Sequence, residues 1–343
     1  MASHRRPKQP SRTRVTVLTA TAAAAVALSA QTGAQAAPKP KIDDVKSKVD
    51  KLHHEAEEAT EQYNLAEERR GKLQKEIGAL QDKVARGQQE LNTLRDNIGS
   101  VASAQYRSGG IDPAIQLFLS SDPDTYLDKA SAIDQLGAKQ ADVLQSIQSK
   151  QRTLAQQRAE ATTKLADLED VRKTLGEKKK KFQGKLAEAQ KLLNTLTAAE
   201  RAKMQQEEAQ RASRAAGDRL DLGNEVPASE RGRAALSAAA TQIGKPYVSG
   251  AEGPNSYDCS GLTQWAYRQA GVGISRTTYT QQNDGVKIGR SQLKPGDLVF
   301  FNGLSHVGLY AGNGTILHAP KPGASVRYES MSYMGTFQFG VRI

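Results

Sequence analysis

The chain has 343 residues, long enough for two domains, but only 38% are apolar and 5% aromatic, too few for one compact core throughout. A formal net charge of +11 suits an anionic polymer, a cell wall as well as a nucleic acid. A single cysteine excludes a disulfide within the chain, and no phosphate-binding loop or dinucleotide fingerprint is present.

The first segment addresses the protein. Arg5, Arg6, Lys8, Arg12 and Arg14 precede any acid, Val15 to Ala30 is small and apolar, and Ala34-Gln35-Ala36 is an A-x-A cleavage signal. This pattern predicts a secretory signal peptide over residues 1–36 rather than an uncleaved anchor. The mature chain is then secreted, at the cell wall or cell surface, which removes nucleic acid as a partner. An exported, unpaired cysteine is either a buried apolar residue or a thiol kept for chemistry.

Residues 37–216 follow a different logic. Steps of three and four from Ile42 to Gln105 meet sixteen apolar residues in nineteen positions, among them Val45, Val49, Leu52, Leu73, Ile77 and Leu91. The same 3.5-residue period runs from Ile133 through Leu154, Leu168, Leu175 and Phe182 to Leu196. Two seams of equal length, each about 95 Å as helix, predict an antiparallel coiled-coil hairpin, with dimerisation through the same seams as the competing arrangement. Between them, residues 106–130 contain the helix breakers Gly109, Gly110 and Pro113 and the apolar cluster Ile115, Leu117, Phe118 and Leu119. They predict a small lobe at the hairpin tip, a cap or a docking site. The runs Tyr106-Arg-Ser-Gly-Gly110 and Tyr126-Leu-Asp-Lys-Ala-Ser131 resemble the coiled-coil domains of bacterial peptidoglycan hydrolases and their activators. That resemblance implies recruitment by a membrane ABC-transporter-like complex of the division machinery. After Leu196 the period weakens, which predicts a fraying helix and a linker over 217–227.

The C-terminal domain, residues 228–343, opens with a predicted helix over 231–243. A second helix follows directly on Asp258-Cys259-Ser260-Gly261 and runs to Ala270. Short β pieces come next, at 298–301, 306–310, 315–318, 326–328 and 337–343, separated by Gly/Pro/Asn turns. Helices followed by a meander of strands predict an α+β domain with an antiparallel sheet.

Cysteine chemistry needs a thiolate, a base and a polar group that orients the base. A helix N-terminus favours the thiolate, so Cys259 is expected to ionise readily. Of the five histidines, His306 and His318 alone fall in this domain; they lie on neighbouring strands about a Gly-Asn-Gly turn. A cysteine with two histidines lacks the fourth ligand of a metal site, so no metal and no cofactor are expected.

Gly244-Lys-Pro-Tyr-Val-Ser-Gly250, Asp258-Cys-Ser-Gly-Leu262, Arg276-Thr-Thr278, Pro295-Gly-Asp-Leu-Val-Phe-Phe301, His306-Val-Gly-Leu-Tyr310 and Leu317-His-Ala319 resemble, in order, the blocks of the NlpC/p60-type cell-wall peptidases. The resemblance implies a papain-like α+β fold and hydrolysis of an amide bond in peptidoglycan stem peptides, between D-glutamate and the following diamino acid. It implies Cys259 as nucleophile, His306 as base and acid, and His318 as the orienting third member. Tyr247 corresponds to a tyrosine at the reaction centre, and Asp258 and Ser260 to positions lining the substrate subsite, with a helix-cap role as the alternative for both. Ser249 stands where the family often has Trp. Two other functions compete: a non-catalytic coiled-coil adaptor that binds wall, and a thiol acyltransferase on the same fold. The hairpin is expected to restrain or position the catalytic domain.

Overall fold

The computed structural model describes residues 41–107, 115, 126–220, 227 and 229–343. The segment 1–36 expected to be a signal peptide, most of the expected lobe over 106–130 and residues 221–226 of the expected linker lie outside the described residues. No helix among the described residues is long and apolar enough to cross a membrane.

Helices α1 (Ile42–Arg107) and α2 (Tyr126–Asn194) form the predicted antiparallel hairpin. Glu55 pairs with Lys185 at 2.7 Å, Gln62 with Lys178 at 2.6 Å and Glu76 with Lys164 at 2.6 Å, so partner numbers fall on one helix as they rise on the other. Seam residues fill the interface. Ala66, Leu73 and Ile77 pack on Leu168, Val171 and Leu175, and Val45, Val49 and Leu52 pack on Ala189 and Leu196. Exposed charges then need only solvate the outer faces.

The chain differs from expectation after Leu196. Instead of fraying, it restarts as a third helix, α3 (Ala198–Leu220), which continues into the segment read as linker. A capping box explains the restart: the Thr197 N–H donates to Glu200 at 2.7 Å, and the Glu200 N–H to Thr197 Oγ1 at 3.3 Å.

The remaining elements are α4 (Glu230–Ala240), α5 (Cys259–Gln269), the single turn α6 (Thr278–Gln281) and strands β1 (Val286–Ile288), β2 (Leu298–Phe301), β3 (His306–Gly312), β4 (Thr315–His318), β5 (Arg327–Ser330) and β6 (Phe337–Arg342). Helices precede an antiparallel sheet, the α+β class expected, with the cysteine helix packed on the sheet in papain-like fashion. The sheet is not a simple meander: its order β1-β6-β2-β3-β4-β5 inserts the last strand between the first two. Strand β1 escaped the sequence reading because it is three residues long and buries only Ile288. α6 escaped because a single turn has no period; Thr277 starts it with a capping box.

One face of the sheet packs Leu298, Phe300, Val307, Leu309 and Leu317 against Leu262, Ala266 and Tyr267 of α5. The other gathers Val299, Phe301, Tyr310, Ile316 and Met331. The helix layer approaches the sheet closely at Gly296, whose φ is +99° and where a Cβ would meet the Gly232 carbonyl carbon at 2.4 Å. Gly296→Ala is therefore expected to destabilise by at least about 2 kcal/mol, from left-handed strain and overpacking against backbone. Thermal denaturation reads this directly, and an unchanged Tm contradicts it.

Candidate active site

The site starts from a helix cap. Asp258 is extended (φ −93°) and its Oδ1 accepts the Gly261 N–H at 2.7 Å, so Cys259 is the first residue of α5. Arg276 locks this turn, donating to Asp258 Oδ2 at 2.6 Å and to Ser260 Oγ at 2.7 Å. Asp258 Oδ2 also takes the Gly250 N–H at 2.9 Å. The cap alternative thus describes what Asp258 does here, while Ser260 directs its hydroxyl into the cleft.

Strands β3 and β4 bring the histidines together. Pairing of Leu309 with Leu317 sets His318 opposite Gly308, and alternation puts Gly308 and His306 on one side of the sheet. Gly308 leaves the space open, since a Cβ there would lie 3.1 Å from that of His318. The rings meet edge to face, with His306 Nε2 2.8 Å from His318 Nδ1. Cys259 is brought to the start of β3, where the Val307 N–H hydrogen-bonds its sulfur, one residue from His306. Tyr247 is buried near the same groups; burial first, then Glu57, Cys259, Asp258 and Glu61, push its pKa up, so its phenol stays a proton donor. Cys259, Ser260, His306 and His318 are therefore brought together, Tyr247 is buried near them, and Asp258 braces the turn.

The far wall of the cleft belongs to α1. Glu61, 1% exposed, accepts from Ser260 Oγ at 2.6 Å through Oε1 and from the Thr278 N–H at 2.7 Å through Oε2, and Cys259 Sγ lies 3.8 Å from its Oε1. One turn earlier, Glu57 Oε2 lies 3.7 Å from His306 Nδ1, and one turn later Asn64 donates to Asp258 Oδ2 at 3.0 Å. Asp50 of α1 and Glu208 of α3 hold Lys321 at 2.8 and 2.7 Å.

These carboxylates correct the expectation of an ionised sulfur. Burial pushes the Cys259 thiol well up, and Glu61, Asp258 and Glu57 push it further; only the Val307 N–H opposes. The helix N-terminus loses to burial and to three nearby carboxylates. Glu61 is itself raised to about 7, by burial and by Asp258, against the pull of Arg276, Ser260 and Thr278.

Arg276, Glu57, Glu61 and Asn64 were not read as site residues. Arg276 stood inside a recognised block. The α1 residues repeat at helical spacing, 57, 61 and 64, on a stripe beside the seam, a polar pattern that alone looks like a solvated face. Glu329 was also missed: its Oε2 lies 3.2 Å from His318 Nε2.

The NlpC/P60 family model matches residues 244–343. A probable endopeptidase of Corynebacterium glutamicum is 47% identical over 110 residues, 32% of this chain and 53% of that protein. The probable endopeptidase p60 of Listeria grayi is 44% identical over 96 residues, 27% of this chain and 19% of its own. Among solved structures, the NlpC/p60 domain of the peptidoglycan hydrolase SagA is 39% identical, covering 33% of this chain and 98% of that one with a TM-score of 0.31. The chain spans about half the length of the corynebacterial relative, and the helical hairpin lies outside the residues that the family model matches. The C-terminal part of the chain, residues 244–343, is a domain of the NlpC/P60 family.

Proposed function

We propose that the protein is an exported hydrolase that cleaves an amide bond in peptidoglycan stem peptides, between D-glutamate and the following diamino acid, and that α1 holds it latent. The observation that carries this reading is the convergence of Cys259, His306 and His318 on one cleft of an NlpC/P60 domain. The bond preference draws on the cradle of Ser260 Oγ and Thr278 N–H, which here holds a carboxylate beside the sulfur. A γ-linked D-glutamyl group carries a free α-carboxylate on the same residue as its scissile carbonyl, three carbons away.

Once α1 withdraws, Cys259 loses two of the carboxylates that oppose its ionisation. His306 takes the thiol proton and the thiolate adds to the carbonyl carbon. The oxyanion meets the Cys259 N–H and the Tyr247 hydroxyl, each donor worth about 3 kcal/mol of barrier. Imidazolium His306 protonates the departing amine, leaving a thioester. Water, deprotonated by His306, then releases the acid and restores the thiol.

Export rests on the predicted signal peptide, and release of α1 by a membrane partner at the hairpin tip rests on the resemblance of the 106–130 lobe. Mass spectrometry of fragments released from purified wall tests the reaction. A hydrolase yields products ending in D-glutamate together with new free amines. An adaptor yields no new amines, and an acyltransferase consumes them; either result defeats the proposal.

A further inference from the structure

Beyond the three convergent residues, a fourth side chain closes the hydrogen-bonded line. His306 Nε2 lies 2.8 Å from His318 Nδ1, His318 Nε2 lies 3.2 Å from Glu329 Oε2, and Arg327 donates to that same oxygen from Nε at 3.0 Å and Nη2 at 2.7 Å. Resting on the reading of His306 as the base toward Cys259, we propose that Glu329 is a positioning residue that fixes the tautomers of both histidines, so that the lone pair of His306 Nδ1 faces the cleft.

Each proton along the line has one consistent place. Burial opposes the Glu329 charge, but His318 and Arg327 outweigh it and hold the carboxyl down to about 2. An ionised carboxylate has no proton to give, so the hydrogen in its contact with His318 sits on Nε2. Burial first, with a contribution from His306, lowers His318 to about 4 against the pull of Glu329, so the ring is neutral and carries that proton alone. Its Nδ1 is then an acceptor. The 2.8 Å contact therefore requires a hydrogen on His306 Nε2, which leaves His306 Nδ1 unprotonated in the neutral ring. Nδ1 is the atom turned toward Glu57 of α1, on the cleft side.

Without Glu329, nothing keeps the proton on His318 Nε2. Moved to Nδ1, it would be donated to His306 Nε2, and the His306 proton would move to Nδ1, where it cannot accept from a thiol. Arg327 keeps Glu329 ionised and is the network's link to the hairpin, since Glu208 of α3 lies 3.7 Å from its Nη1.

Nitrogen-15 spectra of histidine-labelled full-length protein carrying Glu57→Ala, which removes the carboxylate facing His306 Nδ1, read the tautomers. With Glu329 intact, both rings are expected as Nε2–H. In Glu329→Ala the Nε2–H share of both rings should fall to about half, and kcat on wall should fall about 10- to 100-fold at unchanged KM, the scale on which supporting shells act. Glu329→Gln should keep the tautomers, because Arg327 holds the amide oxygen toward His318. Unchanged tautomers in Glu329→Ala overturn the proposal, even if Tm falls. Cleavage that survives Cys259→Ala instead defeats the hydrolase reading, whatever the spectra show.

Discussion

Cys259→Ala is expected to lower the release of stem-peptide fragments from purified wall by about 10⁴-fold or more, with Tm close to that of the wild type. Loss of a nucleophile removes the covalent route entirely, and members of a catalytic unit are strongly non-additive, so His306→Ala should fall to the same floor and the double variant no lower. The substitution removes one buried sulfur from a helix end whose cap, Asp258 to the Gly261 N–H, stays intact. The assay is run on the full chain, as it stands and with Glu61→Lys to open the cleft. Residual cleavage within tenfold of the parent in either background would show that the sulfur does not carry the reaction.

The domain that bears this chemistry was legible because its signals are local. A capping Asp ahead of the cysteine, turn residues between short strands, and two histidines flanking Gly312-Asn313-Gly314 each follow from neighbouring residues. The hairpin was legible for a related reason: its buried residues Val45, Leu52, Leu73, Ile77, Leu168 and Leu175 repeat at one period over many turns. What stayed hidden depends on contacts between distant segments. Glu61 touches Ser260 and Thr278 about two hundred positions away. Nothing in its neighbourhood distinguishes it from Glu58 or Glu68, which sit on the same charged helix. Glu329 looks like an ordinary strand residue until β4 and β5 set it beside His318. The ionisation of Cys259 was hidden for the same reason: the helix end acts locally, whereas burial, the largest opposing effect, and then Glu61 and Glu57 come from packing between distant segments, Asp258 alone being a neighbour.

Glu61→Lys should open the cleft and raise both wall cleavage and alkylation of Cys259 by about 10- to 100-fold, the equivalent of losing one charge-assisted hydrogen bond of about 1.5–3 kcal/mol. The lysine would meet Arg276, which already spans Asp258 and Ser260, so like charges add to the lost bonds. Glu61→Ala should give a smaller gain, whereas Leu154→Ala, in the seam remote from the cleft, should give none. Equal reactivity of Cys259 in wild type and Glu61→Lys would sink the latch.

The latch should also respond to pH with a definite sign. The docked carboxyl of Glu61 titrates at about 7 against an ordinary value of 4.5, so the proton favours docking. Its contribution is complete below pH 4.5, declines between 4.5 and about 7, and is gone above that, a change of roughly 3 kcal/mol at 1.36 kcal/mol per unit. The groups facing it are Asp258, Arg276 and Cys259, with Glu57 and His306 one turn away. Exchange of the Thr278 amide hydrogen, which donates to Glu61 Oε2 at 2.7 Å, reports docking without relying on thiol reactivity. Corrected for intrinsic exchange, its protection should fall as pH rises from 5 to 8, and Glu61→Gln should flatten that slope. A slope that persists in Glu61→Gln would assign the titration to a neighbouring group and leave α1 held by contacts indifferent to this carboxyl.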